Sequence, residues 1–95
     1  MNNPNQKLTE LRTEIDQIDE QLCKLILERF AIVEQVATIK RQENLPIAHP
    51  DREQAILQKH TKNINPHFKK IIEIFFISLF KISKDFQESI GENNE

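Results

Sequence analysis

The sequence predicts an all-α fold: three helices per chain, one long, one short and one medium, assembled as an intertwined helical homodimer. Three observations predict it. A run from about Leu8 to Lys40 places Leu8, Leu11, Ile15, Ile18, Leu22, Leu25, Ile32, Val33 and Val36 at alternating threes and fours, the spacing of an amphipathic helix with an apolar seam. The 95 residues include one Gly, four Pro and neither Trp nor Tyr, so the alternation and Gly-rich turns that strands need are missing. Pro50 and Pro66 each stand just ahead of a further helical pattern, where a fixed φ and a missing N–H suit the first turn.

Met1 to Gln6 is polar and is expected to be disordered, with Pro4 just ahead of the first helix. The helical domain is expected over residues 7–90. Its first helix runs to about Gln42 without an internal Gly or Pro, a length of ~50 Å at 1.5 Å per residue. A compact chain of this size has a radius of gyration near ~12 Å. The helix therefore outruns its own domain, and the seam along it needs another chain to cover it. Glu43 to Pro46 ends this helix, and Ile47, Ala48 and His49 form an extended link. The second helix starts at Pro50, with Asp51 and Glu53 near its positive end, and runs to about His60 or Lys62. Asn65 is suited to cap a third helix, which runs from Pro66 to about Ile90. Its expected core stripe is Phe68, Ile71, Ile72, Phe75, Leu79, Ile82, Phe86 and Ile90. Gly91 suits the position past the helix end, and residues 91–95 read as a disordered acidic tail.

A formal charge of −2 gives no basic field for nucleic acid. Cys23 is the one cysteine. It has no partner for a disulfide and no metal-ligand spacing, and reads as a small, partly buried filler. The longest apolar run, Ile74 to Phe80, is broken by Ser78 and falls far short of the ~20 residues of a membrane span. No signal-peptide pattern opens the chain. A cytoplasmic protein that meets neither membrane nor nucleic acid is the expectation.

The informative residues are polar ones on apolar faces. Arg29 falls near the middle of the long helix's stripe, and Lys40, three turns on, returns to almost the same azimuth. A buried charge left unpaired costs several kcal/mol, so an anion is expected between the helices. Arg52 and Glu53 open the second helix, and Ser83 and Gln87, four apart, flank the stripe of the third. Three helices can aim all six at one cavity. Arg12, ~25 Å from Arg29 along the helix, reaches such a cavity only in an antiparallel partner. About four cations, one carboxylate and two neutral hydrogen-bonding groups describe a site for a small dianion. Each residue also has a structural reading: a snorkelling Arg29, a Lys40 placed by the helix C-terminus, a solvated Arg52–Glu53 pair, and a polar edge at Ser83 and Gln87.

The pattern Leu11-Arg12, Ile15-Asp16, Ile18-Asp19, Leu25 through Glu28-Arg29, Val36 to Lys40, Pro46-Ile47 to Asp51-Arg52-Glu53, and Ser83 with Gln87 resembles the all-helical (AroQ-class) chorismate mutases over about residues 7–88. The resemblance implies three helices per chain, a dimer of interlocked long helices, and two active sites that each borrow an arginine from the partner. By that resemblance Arg12 is the borrowed arginine and Arg29 grips a substrate carboxylate with it. Lys40 binds the ether oxygen and a carboxylate, Arg52 supports the carboxylate end, and Glu53 accepts from the substrate hydroxyl. Ser83 helps hold a carboxylate, and Gln87 donates to the ether oxygen. His49 departs from the pattern, because bacterial members often carry an acid there.

The reaction implied is the rearrangement of chorismate to prephenate, a step of Phe and Tyr biosynthesis. It requires no nucleophile, general base, metal or cofactor. The protein must hold a compact conformer of a flexible dianion and supply positive potential at the ether oxygen. Lys40, Gln87 and Arg29 are the expected catalytic residues. A rival of the same fold is isochorismate-pyruvate lyase. Glu53 favours the mutase, while His49 and Pro50 lean towards the lyase. A rival of another class is a non-catalytic helical dimer that binds an anionic effector or partner, since fold alone does not establish function.

Overall fold

The computed structural model describes residues 3–92, and they form three α-helices joined by two short links. Helix α1 spans Pro4–Gln42, α2 spans Pro50–Thr61 and α3 spans Pro66–Glu92. There is no strand among the described residues. The chain divides into two compact units, Met1–Ile32 and Val33–Glu95.

All three helices start in the same way. Asn3 caps α1, its Oδ1 accepting from Gln6 N at 2.7 Å, with Pro4 as the first helical residue. Asn65 Oδ1 accepts from His67 N at 2.9 Å ahead of Pro66. His49 caps α2 with its ring: Nδ1 accepts from Arg52 N at 3.1 Å ahead of Pro50. Each device satisfies a backbone donor that the first turn leaves without a partner. The cap at Asn3 corrects the expected disordered start, because residues 4–6 belong to α1. The third helix likewise continues through Gly91 to Glu92, so the acidic tail does not begin at residue 91. Residues 1–2 and 93–95 lie outside the described residues.

Helix α1 ends on a chain reversal. Asn44 takes a left-handed backbone, φ 54°, a region that Asn tolerates better than most residues. Leu45 N then donates to Lys40 O at 2.7 Å and Asn44 N to Arg41 O at 3.3 Å. This is the Schellman arrangement that pairs the last helical carbonyls.

In the unit Met1–Ile32, Leu8, Leu11, Ile15, Ile18, Leu22 and Leu25 are all exposed. The seam read from the sequence is present, and its leucines and isoleucines lie on the surface among the described residues. Helix α1 passes Cys23 without a break. Cys23 is exposed rather than the partly buried filler expected of it.

In the unit Val33–Glu95, α2 and α3 form an antiparallel hairpin. The His60 ring stacks on Phe76 at 5.0 Å, with an interplanar angle of 13°, and Phe76 lies 5.9 Å from Phe80. Nearer the other end of the hairpin, Lys84 Nζ meets Glu53 Oε2 at 3.3 Å. Helix α3 thus turns Ile72, Phe76, Leu79 and Phe80 inward, while Phe68, Ile71, Phe75 and Ile82 are exposed. The expected stripe merged two stripes of this helix. Ile74 to Phe80 is apolar around most of its circumference, so periodicity alone does not select the inward side.

Candidate functional site

Among the described residues only four are buried: Ala37, Phe80, Ser83 and Gln87. Two of the four are polar, against the rule that apolar side chains fill an interior. Both were singled out from the sequence. Gln87 is 8% exposed, and its Oε1 has no hydrogen-bond partner. Burying such a group without a partner is costly, which sets Gln87 apart from an ordinary polar residue at the edge of a helix stripe.

Gln87 faces a cavity of about 600 Å³, within the range of small-molecule sites. Ala37, Lys40 and Arg41 line it from α1, Asn44, Leu45 and Ile47 from the link, and Gln87 and Glu88 from α3. Local structure accounts for the assembly. Ala37, Lys40 and Arg41 share one helix face at spacings of three and four. The reversal at Asn44 carries the chain back over that face, and Ile47 O then accepts from Lys40 Nζ at 2.7 Å. This bond uses one of the ammonium's three donors and fixes a half-buried cation at the cavity wall. A cation, an amide and apolar walls are suited to holding a small anion that also offers a neutral oxygen.

The structure brings Lys40 and Gln87 together on this cavity. Ser83 is buried one turn before Gln87 on α3. Arg52 is exposed in the first turn of α2, and Glu53 beside it is held by Lys84. Ser83, Arg52 and Glu53 are not among the residues that line the cavity. Arg12 and Arg29 belong to the unit Met1–Ile32, Arg12 exposed and Arg29 half-buried. Arg41, Asn44 and Glu88 were not expected at the site. Arg41 and Glu88 are direct neighbours of Lys40 and Gln87, a signal the sequence did carry. Asn44 depends on the left-handed turn, which no apolar pattern reveals.

The sequence pattern of the chorismate mutase type II family matches residues 11–88. The chain belongs to this family. It is 39% identical over 77 residues to a chorismate mutase of Methanocaldococcus jannaschii, covering 81% of this chain and 76% of that one. It is 44% identical over 54 residues to a bifunctional chorismate mutase/prephenate dehydratase of Aquifex aeolicus, covering 57% of this chain and 15% of that protein. A crystal structure of chorismate mutase from Helicobacter pylori in complex with prephenate superposes with a TM-score of 0.83 at 36% identity, over 93% of this chain and 97% of that one.

Proposed function

We infer that the cavity beside Lys40 and Gln87 is part of a chorismate mutase active site, and that a second copy of the chain completes it. The enzyme is an isomerase that rearranges chorismate to prephenate in aromatic amino acid biosynthesis. One C–O bond breaks as one C–C bond forms within a single substrate. Catalysis then consists of holding the reactive conformer and stabilising the charge that grows on the ether oxygen.

The observation that carries this reading is the pairing of a buried, unsatisfied amide with a fixed ammonium on one cavity. Lys40 directs its remaining N–H donors at the ether oxygen and a carboxylate. Gln87 supplies the second donor to the ether oxygen through its amide NH₂, which carries two N–H donors. Arg29 and the partner copy's counterpart of Arg12 grip a carboxylate, where guanidinium forks match carboxylate geometry. Arg52 and Ser83 support the carboxylates, and Glu53 accepts from the ring hydroxyl. Support for the shared site comes from the uncovered seam of α1, which a second, antiparallel α1 would cover while delivering Arg12. No described helix is long and apolar enough to cross a membrane, and a cytoplasmic enzyme fits this substrate.

Removing a preorganised donor from a developing oxyanion lowers turnover by about 10²–10³-fold. Lys40→Ala is therefore expected to fold, to dimerise, and to lose at least ~100-fold in kcat. Near-normal turnover by a folded Lys40→Ala dimer would remove Lys40 from the mechanism.

A further inference from the structure

We propose that Lys84 is a positioning residue for the reaction: it holds the Glu53 carboxylate in the orientation that receives the substrate hydroxyl. The inference rests on the reading of Glu53 given above. Lys84 Nζ lies 3.3 Å from Glu53 Oε2, and the side chains are 37% and 28% exposed. The pair joins α3 to α2. Lys81 and Asp85 on the same helix make a different kind of bridge, 3.0 Å long within one helix, between side chains 76% and 62% exposed. That second pair is an ordinary solvated neighbour contact, worth little to the fold.

Lys84 follows the buried Ser83 and precedes the buried Gln87 by one turn. Its backbone is therefore fixed by the most enclosed part of α3. Glu53 sits in the first turn of α2, the turn capped by His49. An unrestrained glutamate on a helix surface samples several rotamers, and ordering it on substrate binding costs entropy. The ammonium takes Oε2 and leaves Oε1 as an acceptor with a defined direction. A carboxylate is acceptor-only, which matches a hydroxyl donor. Lys84 thus lowers the cost of presenting Glu53 and touches no reacting atom itself.

The test compares Lys84→Met, Lys84→Arg and Glu53→Gln with the full-length wild type, using chorismate as substrate and following folding by thermal unfolding. Mutase activity of the wild type is measured first, and its absence would overturn the reading of the site, separately from this inference. With the wild type active, Lys84→Met is expected to raise KM by about 3- to 5-fold, the scale of a partly exposed ion pair, with kcat within twofold. Lys84→Arg is expected to restore KM. In a Glu53→Gln background, Lys84→Met is expected to add no further change in KM. A staple between helices with no role at the substrate would lower the unfolding temperature and leave KM unchanged, which would overturn the proposal. A KM that falls in Lys84→Met, or an equal KM increase in the Glu53→Gln background, would overturn it as well.

Discussion

A buried amide oxygen without a partner costs a folded protein about 1–3 kcal/mol, and Gln87 carries that cost on α3. Leu has a similar volume and no polar atom to satisfy. Gln87→Leu is therefore expected to leave stability unchanged or to raise it, while kcat falls at least ~100-fold with the loss of a donor to the ether oxygen. Denaturant unfolding alongside steady-state kinetics checks both halves. A destabilised variant with intact turnover would make the amide a structural group. The same residue explains what was legible at this scale. Gln87, Ser83 and Lys40 stood out in the sequence because each is polar on an apolar helix face. Arg41, Asn44 and Glu88 did not stand out, since charged and amide side chains near helix ends are common on any surface. The place of Asn44 on the cavity follows from its left-handed backbone, which depends on one backbone angle rather than on hydrophobic spacing.

At the scale of elements, the starts of α2 and α3 were readable because Pro50 and Pro66 mark a first helical turn. Asn3-Pro4 repeats Asn65-Pro66 residue for residue, yet the helix start was expected later, near the first apolar residue of the seam. Capping chemistry outranked apolar periodicity there. His49 presents the reverse case. It read as a departure from a family pattern, and its ring caps α2 instead. Losing an N-cap side chain costs about 0.5–2 kcal/mol. His49→Ala is accordingly expected to lower stability by about that amount, and His49→Asp, which keeps an acceptor, to retain or exceed wild-type stability. Chemical unfolding of the three proteins measures this. An unaffected His49→Ala would mean that the ring contact to Arg52 N contributes nothing to the fold. The inward side of α3 was the least readable feature, because Phe76 and Phe80 share their segment with Ile74, Phe75 and Ile77.

For the whole molecule, the decisive feature is the apolar seam of α1, with six leucines and isoleucines from Leu8 to Leu25 exposed. Soluble monomers rarely expose contiguous apolar surface on this scale. Covering it with a second copy is favoured by about 25 cal/mol per Å² of apolar area removed from water. Shared sites make a sharp prediction. Arg12→Ala and Gln87→Ala are each expected to be inactive, and to regain activity when mixed and allowed to exchange subunits. One site of each hybrid then keeps both residues. Proven exchange without any recovery would place all the site residues in one chain.

The central claim, that this chain rearranges chorismate to prephenate, is tested most directly by an assay on the purified protein. It follows the loss of chorismate absorbance and identifies the product, with isochorismate run in parallel. The account predicts rapid consumption of chorismate with prephenate as the product. Release of pyruvate from isochorismate with chorismate untouched, or silence on both substrates, would contradict it.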